Sequence, residues 1–194
     1  MSKADPSQAK KERNKTIRWV VTIFLVTIFV SAAITLISNE IMSMSGLLAS
    51  FVILLIIVLV GIVFDIIGVA VTSADESPFH SMAARKVPGA QESIRLLRNA
   101  ERVSSICNDV IGDICGVVSG TASATIAAQL IARFEFAWPV MMGLLMSAFV
   151  SGLTVGGKAI GKTFAVNSST AIVHLAGKVI SVISGHGKPS KSKK

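Results

Sequence analysis

The stretch GLLASFVILLIIVLVGIVFDIIGVAVT, Gly46 to Thr72, contains a single charge, Asp65. About 20 apolar residues in a helix cross a hydrocarbon layer about 30 Å thick, so this run is longer than one crossing needs. It reads as a transmembrane helix, closed by Pro78. The whole chain agrees: 52% of its 194 residues are apolar and 15% charged, with a mean hydropathy of +0.68. Lipid, not a soluble core, is the environment that such a composition requires.

Working outward toward the N-terminus, residues 17–37 form a second such run, preceded by a polar, lysine-rich segment, 1–16, expected to be disordered or to lie on the headgroups. The run is longer than the roughly 7–15 residues of a signal-peptide core and ends at no small-x-small cleavage site, so it reads as a retained span. Residues 38–45 read as a short turn. Toward the C-terminus, 77–102 mixes Ile94, Leu96, Leu97 and Val103 nearby with Arg95, Arg98 and Glu101, the pattern of an amphipathic helix lying in the interface. A third span is expected over 103–132, a turn over 133–139, and a short fourth span over 140–157. Residues 164–184 are weakly apolar and hold His174 and Lys178, which favours a second interfacial helix over a fifth span. A basic tail, 185–194, ends the chain.

The net charge of +8 is concentrated at the N-terminus, in the middle segment (Arg85, Lys86, Arg95, Arg98, Arg102) and in the tail. Basic clusters also mark nucleic-acid binding, but each of these flanks an apolar run, so positive-inside flanking with attraction to anionic headgroups is the better account and no nucleic-acid partner is expected. Four crossings put all three clusters on one side, predicting a multi-pass protein of the cell membrane with N- and C-termini cytoplasmic. The outer loops then hold only Glu40, Arg133 and Glu135. Trp19 and Trp138 fall at span ends, as in an aromatic belt.

The third span carries two stripes of residues four apart. One is small, Asn108, Gly112, Gly116, Gly120, Ala124 and Ala128, and suits close helix packing. The other is polar: Asp109, Asp113, Val117, Thr121, Thr125 and Gln129. Acids inside membrane helices are costly and normally face a bundle interior or a wet cavity. Asp65, Asn108, Asp109 and Asp113, helped by the hydroxyls of Thr121 and Thr125, are hard oxygen donors that suit magnesium, calcium or sodium rather than zinc or copper. The alternative is that the acids sit near the inner interface and pair with Arg102, Lys158 or Lys162.

GGKAIGKT, Gly156 to Thr163, matches G-x-x-x-x-G-K-[ST], the phosphate-cradling loop of nucleotide hydrolases. Such a loop works between a strand and a helix of a parallel sheet, and no repeated strand–helix units accompany it here. Cys107 and Cys115 form no CxxC pair and read as buried free thiols; His80, His174 and His186 lack catalytic partners at useful spacing. No catalytic set is left, and the chain is not expected to be an enzyme.

In the order of these features the chain resembles the transmembrane domain of the CorB/CorC/cyclin-M magnesium transporters, over residues 61–180. Gly61 and Asp65 fall where that family has serine ligands, Cys107-Asn108-Asp109 falls on its Gly-Asn-Asn, and Gly157-Lys158-Ala159-Ile160-Gly161-Lys162 on its Gly-Glu-x-x-Pro-Lys, with Asn167 echoing a following asparagine. Of these, Asn108, Gly157 and Lys162 are identities. The resemblance implies an all-α integral membrane fold of four transmembrane helices, an extra N-terminal helix plus a three-helix core, with interfacial juxtamembrane helices. It also implies a homodimer, a Mg2+ site at Asp65, Asn108, Asp109 and Asp113 at mid-membrane, and Lys158 and Lys162 as charge-tuning residues. Lys158 stands where the family has a glutamate. Either the charges are redistributed over Asp65 and Asp109, or Lys158 takes the cation's place in an ion pair with Asp65, which would make the chain a non-transporting scaffold or regulatory subunit. The family's paired CBS domain is missing, so regulation is expected to be absent or to come from a separate protein.

Overall fold

A computed structural model describes residues 6–134 and 138–184, with side chains from residue 17 onward. The basic tail 185–194, with His186, lies outside the described residues, as do residues 1–5 and Glu135. Among the described residues the regular structure is helical throughout. Four helices are long and apolar enough to cross a membrane: Ile17–Met44, Leu47–Ser73, Ala100–Phe134 and Pro139–Asn167. The chain is an all-α membrane protein.

Helix α1 (Pro6–Met44) exceeds the expected span at both ends. Residues 6–16, expected to be disordered or to lie on the headgroups, continue the helix, because Pro6 suits a first turn and Gln, Ala, Lys, Glu and Arg are good helix formers. Residues 38–45, expected to turn, hold neither glycine nor proline, and Ser38 and Met42 are buried one turn apart. The turn is confined to Ser45 and Gly46 before α2 (Leu47–Ser73).

The interfacial stretch is three short helices instead of one: α3 (Ser77–Ala84), α4 (Ala90–Arg98) and α5 (Ala100–Ser105). Pro88 and two left-handed residues, Lys86 at φ 57° and Gly89 at φ 86°, break it. From α5 the chain runs through a π-helical segment, Ile106–Gly112, into α6 (Asp113–Phe134).

Helix α7 (Pro139–Asn167) also outruns the expected short span, passing straight through Gly156 to Thr163. Gly157 and Gly161 survive inside it for a packing reason: a Cβ on Gly157 would collide with Ile62 Cδ1, and one on Gly161 would come 2.7 Å from Ile66 Cγ1. With buried Ala165 they form a small face laid on α2. After Ser168, α8 (Ser169–Ile183) packs on α4.

Two cores result. One gathers Met42, Leu54, Val58, Ala122, Ile126, Ala127, Met146 and Val150 from α1, α2, α6 and α7. The other gathers Ala70, Val71, Phe79, Ala165 and Val173 where α2 meets α3, α7 and α8. Asp65 lies on α2 between them.

Candidate functional site

Asp65 is 4% exposed, and Lys158 of α7 brings its Nζ to 3.7 Å from Oδ1. The pair joins two of the candidate membrane-spanning helices. It forms because Asp65 shares the inward face of α2 with Gly61, Gly68 and Val58, while the glycine face around Gly157 holds α7 close enough for Lys158 to reach inward. The same ammonium lies toward Gly112, where a Cβ would be 3.3 Å from Nζ. Glycine there leaves room for the lysine head.

The third wall is the π-helical segment. A π turn holds an extra residue and shifts the side chains before it relative to the helix that follows. Asn108, within this segment, lies directly against Gly68, so that a Cβ on Gly68 would collide with Oδ1. Asn108 Nδ2 donates to Ser104 Oγ at 3.2 Å. About two turns back along α2 from Gly68, past Asp65, Gly61 meets Cys115, with 2.9 Å from a virtual Cβ to Cys115 Cβ. Cys107 and Cys115 are free thiols, Cys107 buried and Cys115 partly so.

Three buried side-chain oxygens among the described residues accept no hydrogen bond: Asp65 Oδ2, Asn108 Oδ1 and Gln129 Oε1. Two of these belong to this junction. Buried acceptors normally find a partner.

The structure brings together only part of the expected ligand set. Asp65, Lys158 and Gly112 meet, while Asn108 lies against Gly68, about one turn of α2 from Asp65. Asp109 and Asp113 are exposed, on the side of the helix away from the buried face that carries Cys107 and Ile114, and Asp109 Oδ2 accepts a hydrogen bond from Ser105 Oγ at 2.8 Å. Lys162 is exposed as well. Thr121 and Thr125 donate to the carbonyls of Val118 and Thr121 in their own helix, and Thr125 also approaches Asn39 Oδ1 at 3.4 Å. Gln129 Nε2 donates to Met42 O at 2.9 Å. The lower part of the polar stripe thus serves the α1–α6 contact rather than a ligand. Asn39 escaped sequence reasoning because it lay in a segment read as a turn.

Magnesium demands near-octahedral oxygen ligation at about 2.0–2.1 Å. Among the described residues no group of three or more His, Cys, Asp or Glu side chains could hold a metal ion. Beside Asp65 there is an ammonium, which repels a second cation. With Lys158 in place, the arrangement has no third acidic, His or Cys ligand for a divalent ion among the described residues.

Nor does Gly156 to Thr163 make a phosphate cradle. It is α-helical throughout, so its amides serve the helix ladder instead of converging on a ligand.

Of the three glycines in the small stripe, Gly112 has a close neighbour, whereas Gly116 and Gly120 have nothing within 4 Å of a virtual Cβ. They border a groove of about 170 Å³ between α6 and α7, with Ser119, Ser123, Ser147 and Ser151 on its walls.

Comparison with protein-family models, with curated proteins and with solved structures finds no match to this chain.

Proposed function

We propose that this chain is a non-transporting membrane scaffold or regulatory subunit, in which Lys158 takes the position that a hard cation would occupy. The observation that carries this reading is the ion pair itself: a nearly fully buried carboxylate whose nearest counter-charge, at 3.7 Å, comes from the chain's own lysine. A buried carboxylate is costly unless compensated, and a fixed ammonium compensates it without a loaded ion. The fold carries no dependence on Mg2+ in this reading.

Transport or binding of a hard cation, Mg2+ in the first place, is the second reading, favoured by the unpartnered Asp65 Oδ2 and Asn108 Oδ1. In that case Asp65 and Asn108 would hold the ion, and Lys158 would have to leave Asp65. One experiment separates the two. Thermal unfolding of the purified full chain is followed against Mg2+, Ca2+ and Na+, since a ligand bound only by the folded state stabilises it by about 2.7 kcal/mol at a hundredfold excess over its dissociation constant. The scaffold reading expects no saturable shift in the native chain and a new Mg2+-dependent shift in Lys158→Glu. Lys158→Met, neutral and similar in length, serves should the glutamate variant not fold. A saturable Mg2+ shift in the native chain would overturn the scaffold reading in favour of the cation.

A homodimer is supported by the open groove at Gly116 and Gly120, which admits close approach of another helix. A separate regulatory protein is part of the scaffold reading. Cytoplasmic termini in the cell membrane are supported by the even number of candidate spans together with the basic clusters.

A further inference from the structure

Helix α8 has two faces that need covering, on opposite sides. Val173, Gly177 and Ser181, four apart, are buried. There α8 meets the start of α4 almost backbone to backbone: a Cβ on Gly177 would lie 2.5 Å from Gly89 O, and one on Gly89 would lie 2.6 Å from Lys178 Cα. Ser93 Oγ lies 3.1 Å from Val173 O and 2.9 Å from Gly89 O, and His174 Nε2 is 3.2 Å from Pro88 O. This face is satisfied within the chain.

The opposite face is Leu175, Val179, Val182 and Ile183, spaced i, i+4, i+7, i+8 and between 50% and 80% exposed. A helix of 15 residues rises only about 22 Å, too little to cross a layer of about 30 Å, so this stripe is covered by lying in the interface. Lys178 is exposed on the flank between the two faces.

Charge then chooses the lipid. From residue 136 to the end the sequence contains seven lysines and no aspartate or glutamate. Lys158 is engaged by Asp65, while Lys162 and Lys178 are exposed. The neighbouring interfacial helices α3 to α5 differ, because there the signs are mixed and partly cancelled: Glu76 Oε1 lies 3.0 Å from Arg98 Nε and 3.2 Å from His80 Nε2. The unbalanced positive charge belongs to the end of α7, to α8 and to the segment that follows.

We propose that α8, with its own Lys178 and with Lys162 near the end of α7, is a docking surface for anionic phospholipid headgroups on the side of the membrane where α4 lies. The apolar stripe enters the acyl boundary and the lysines meet the phosphodiesters, each favouring the anionic surface by roughly fivefold. This goes beyond the scaffold reading and does not depend on the Asp65–Lys158 pair.

The test uses the full chain in nanodiscs of phosphatidylcholine alone or with phosphatidylglycerol as the minority lipid, reading hydrogen exchange across α8 and the thermal midpoint. Anionic lipid is expected to slow exchange in α8 and raise the midpoint, with both effects fading as salt rises. The Lys162→Gln/Lys178→Gln double variant is expected to behave like the native chain in phosphatidylcholine and to lose most of the response to phosphatidylglycerol. Identical exchange and midpoints in the two lipids would overturn the proposal, and so would a response that neither salt nor the substitutions diminish. Glycerol phosphate added to phosphatidylcholine discs separates a lipid surface from a free anion: reproduction of the full effect by the soluble headgroup would also overturn it.

Discussion

Helices α1 and α2 are both long apolar spans, yet they hold opposite positions in the bundle. In its most apolar stretch none of α1 is buried, against 22% of α2. Helix α2 touches α6, α7, α8 and the π-helical segment, while α1 rests mainly on α6. The difference lies in small and charged residues. Helix α1 contains no glycine, whereas α2 presents Gly61 to Cys115 and Gly68 to Asn108, with Asp65 between them. In lipid, apolar surface alone brings no helices together, so association depends on close approach and polar contacts. Helix α1 is held near one end by Asn39 with Thr125 and by Met42 O, which accepts from Gln129 and from Ser50 Oγ, and near the other by Arg102 lying 5.9 Å from the Trp19 ring centroid.

The contrast between a hub helix and a peripheral one is breakable by substitution, each change read as the unfolding free energy of the detergent-solubilised chain. Asp65→Leu strands Lys158 and is expected to cost about 3–5 kcal/mol, the range for a buried pair losing one partner. The Asp65→Leu/Lys158→Met double variant should recover most of that loss. If it were as unstable as the single variant, the ion pair would not be what Asp65 contributes. Gly61→Val, forcing a methyl-bearing carbon against Cys115, is expected to cost about 1–3 kcal/mol by overpacking. Gln129→Leu, which releases α1 from α6, should cost about 0.6 kcal/mol, the average of hydrogen bonds between membrane helices. Phe29→Ala, on the lipid-facing side of α1 at 78% exposure, is expected to stay within about 0.5 kcal/mol of the native chain. A large effect there would make α1 a second hub, covered by something other than lipid.

Much of the bundle was legible before any coordinates. Uninterrupted apolar runs marked four spans, and basic flanks marked their ends, because the hydrocarbon thickness and the cost of charge inside it act on sequence directly. Span ends were read less well. Residues 38–45 look polar enough for a loop, but with neither glycine nor proline the helix pays nothing to continue until Gly46. Gly156 to Thr163 looks like a loop motif, but its glycines are spaced to lie on Ile62 and Ile66. Asp65 and Lys158 were both visible as charges inside apolar segments, and their pairing was one of two readings left open.

The sequence by itself determined that this is an all-α membrane protein with four apolar candidate spans, since hydropathy and charge along one chain suffice for that. Only the tertiary structure decided which polar groups share a site. Asp65, Asn108, Asp109 and Asp113 are equivalent as donors on paper. The π-helical turn at Ile106–Gly112 and the glycine contacts of α2 and α7 carry Asp65 and Asn108 into the bundle and leave Asp109 and Asp113 outside it. Helical register around an irregular turn is set by which faces can approach most closely, and that is a property of pairs of helices rather than of any one segment.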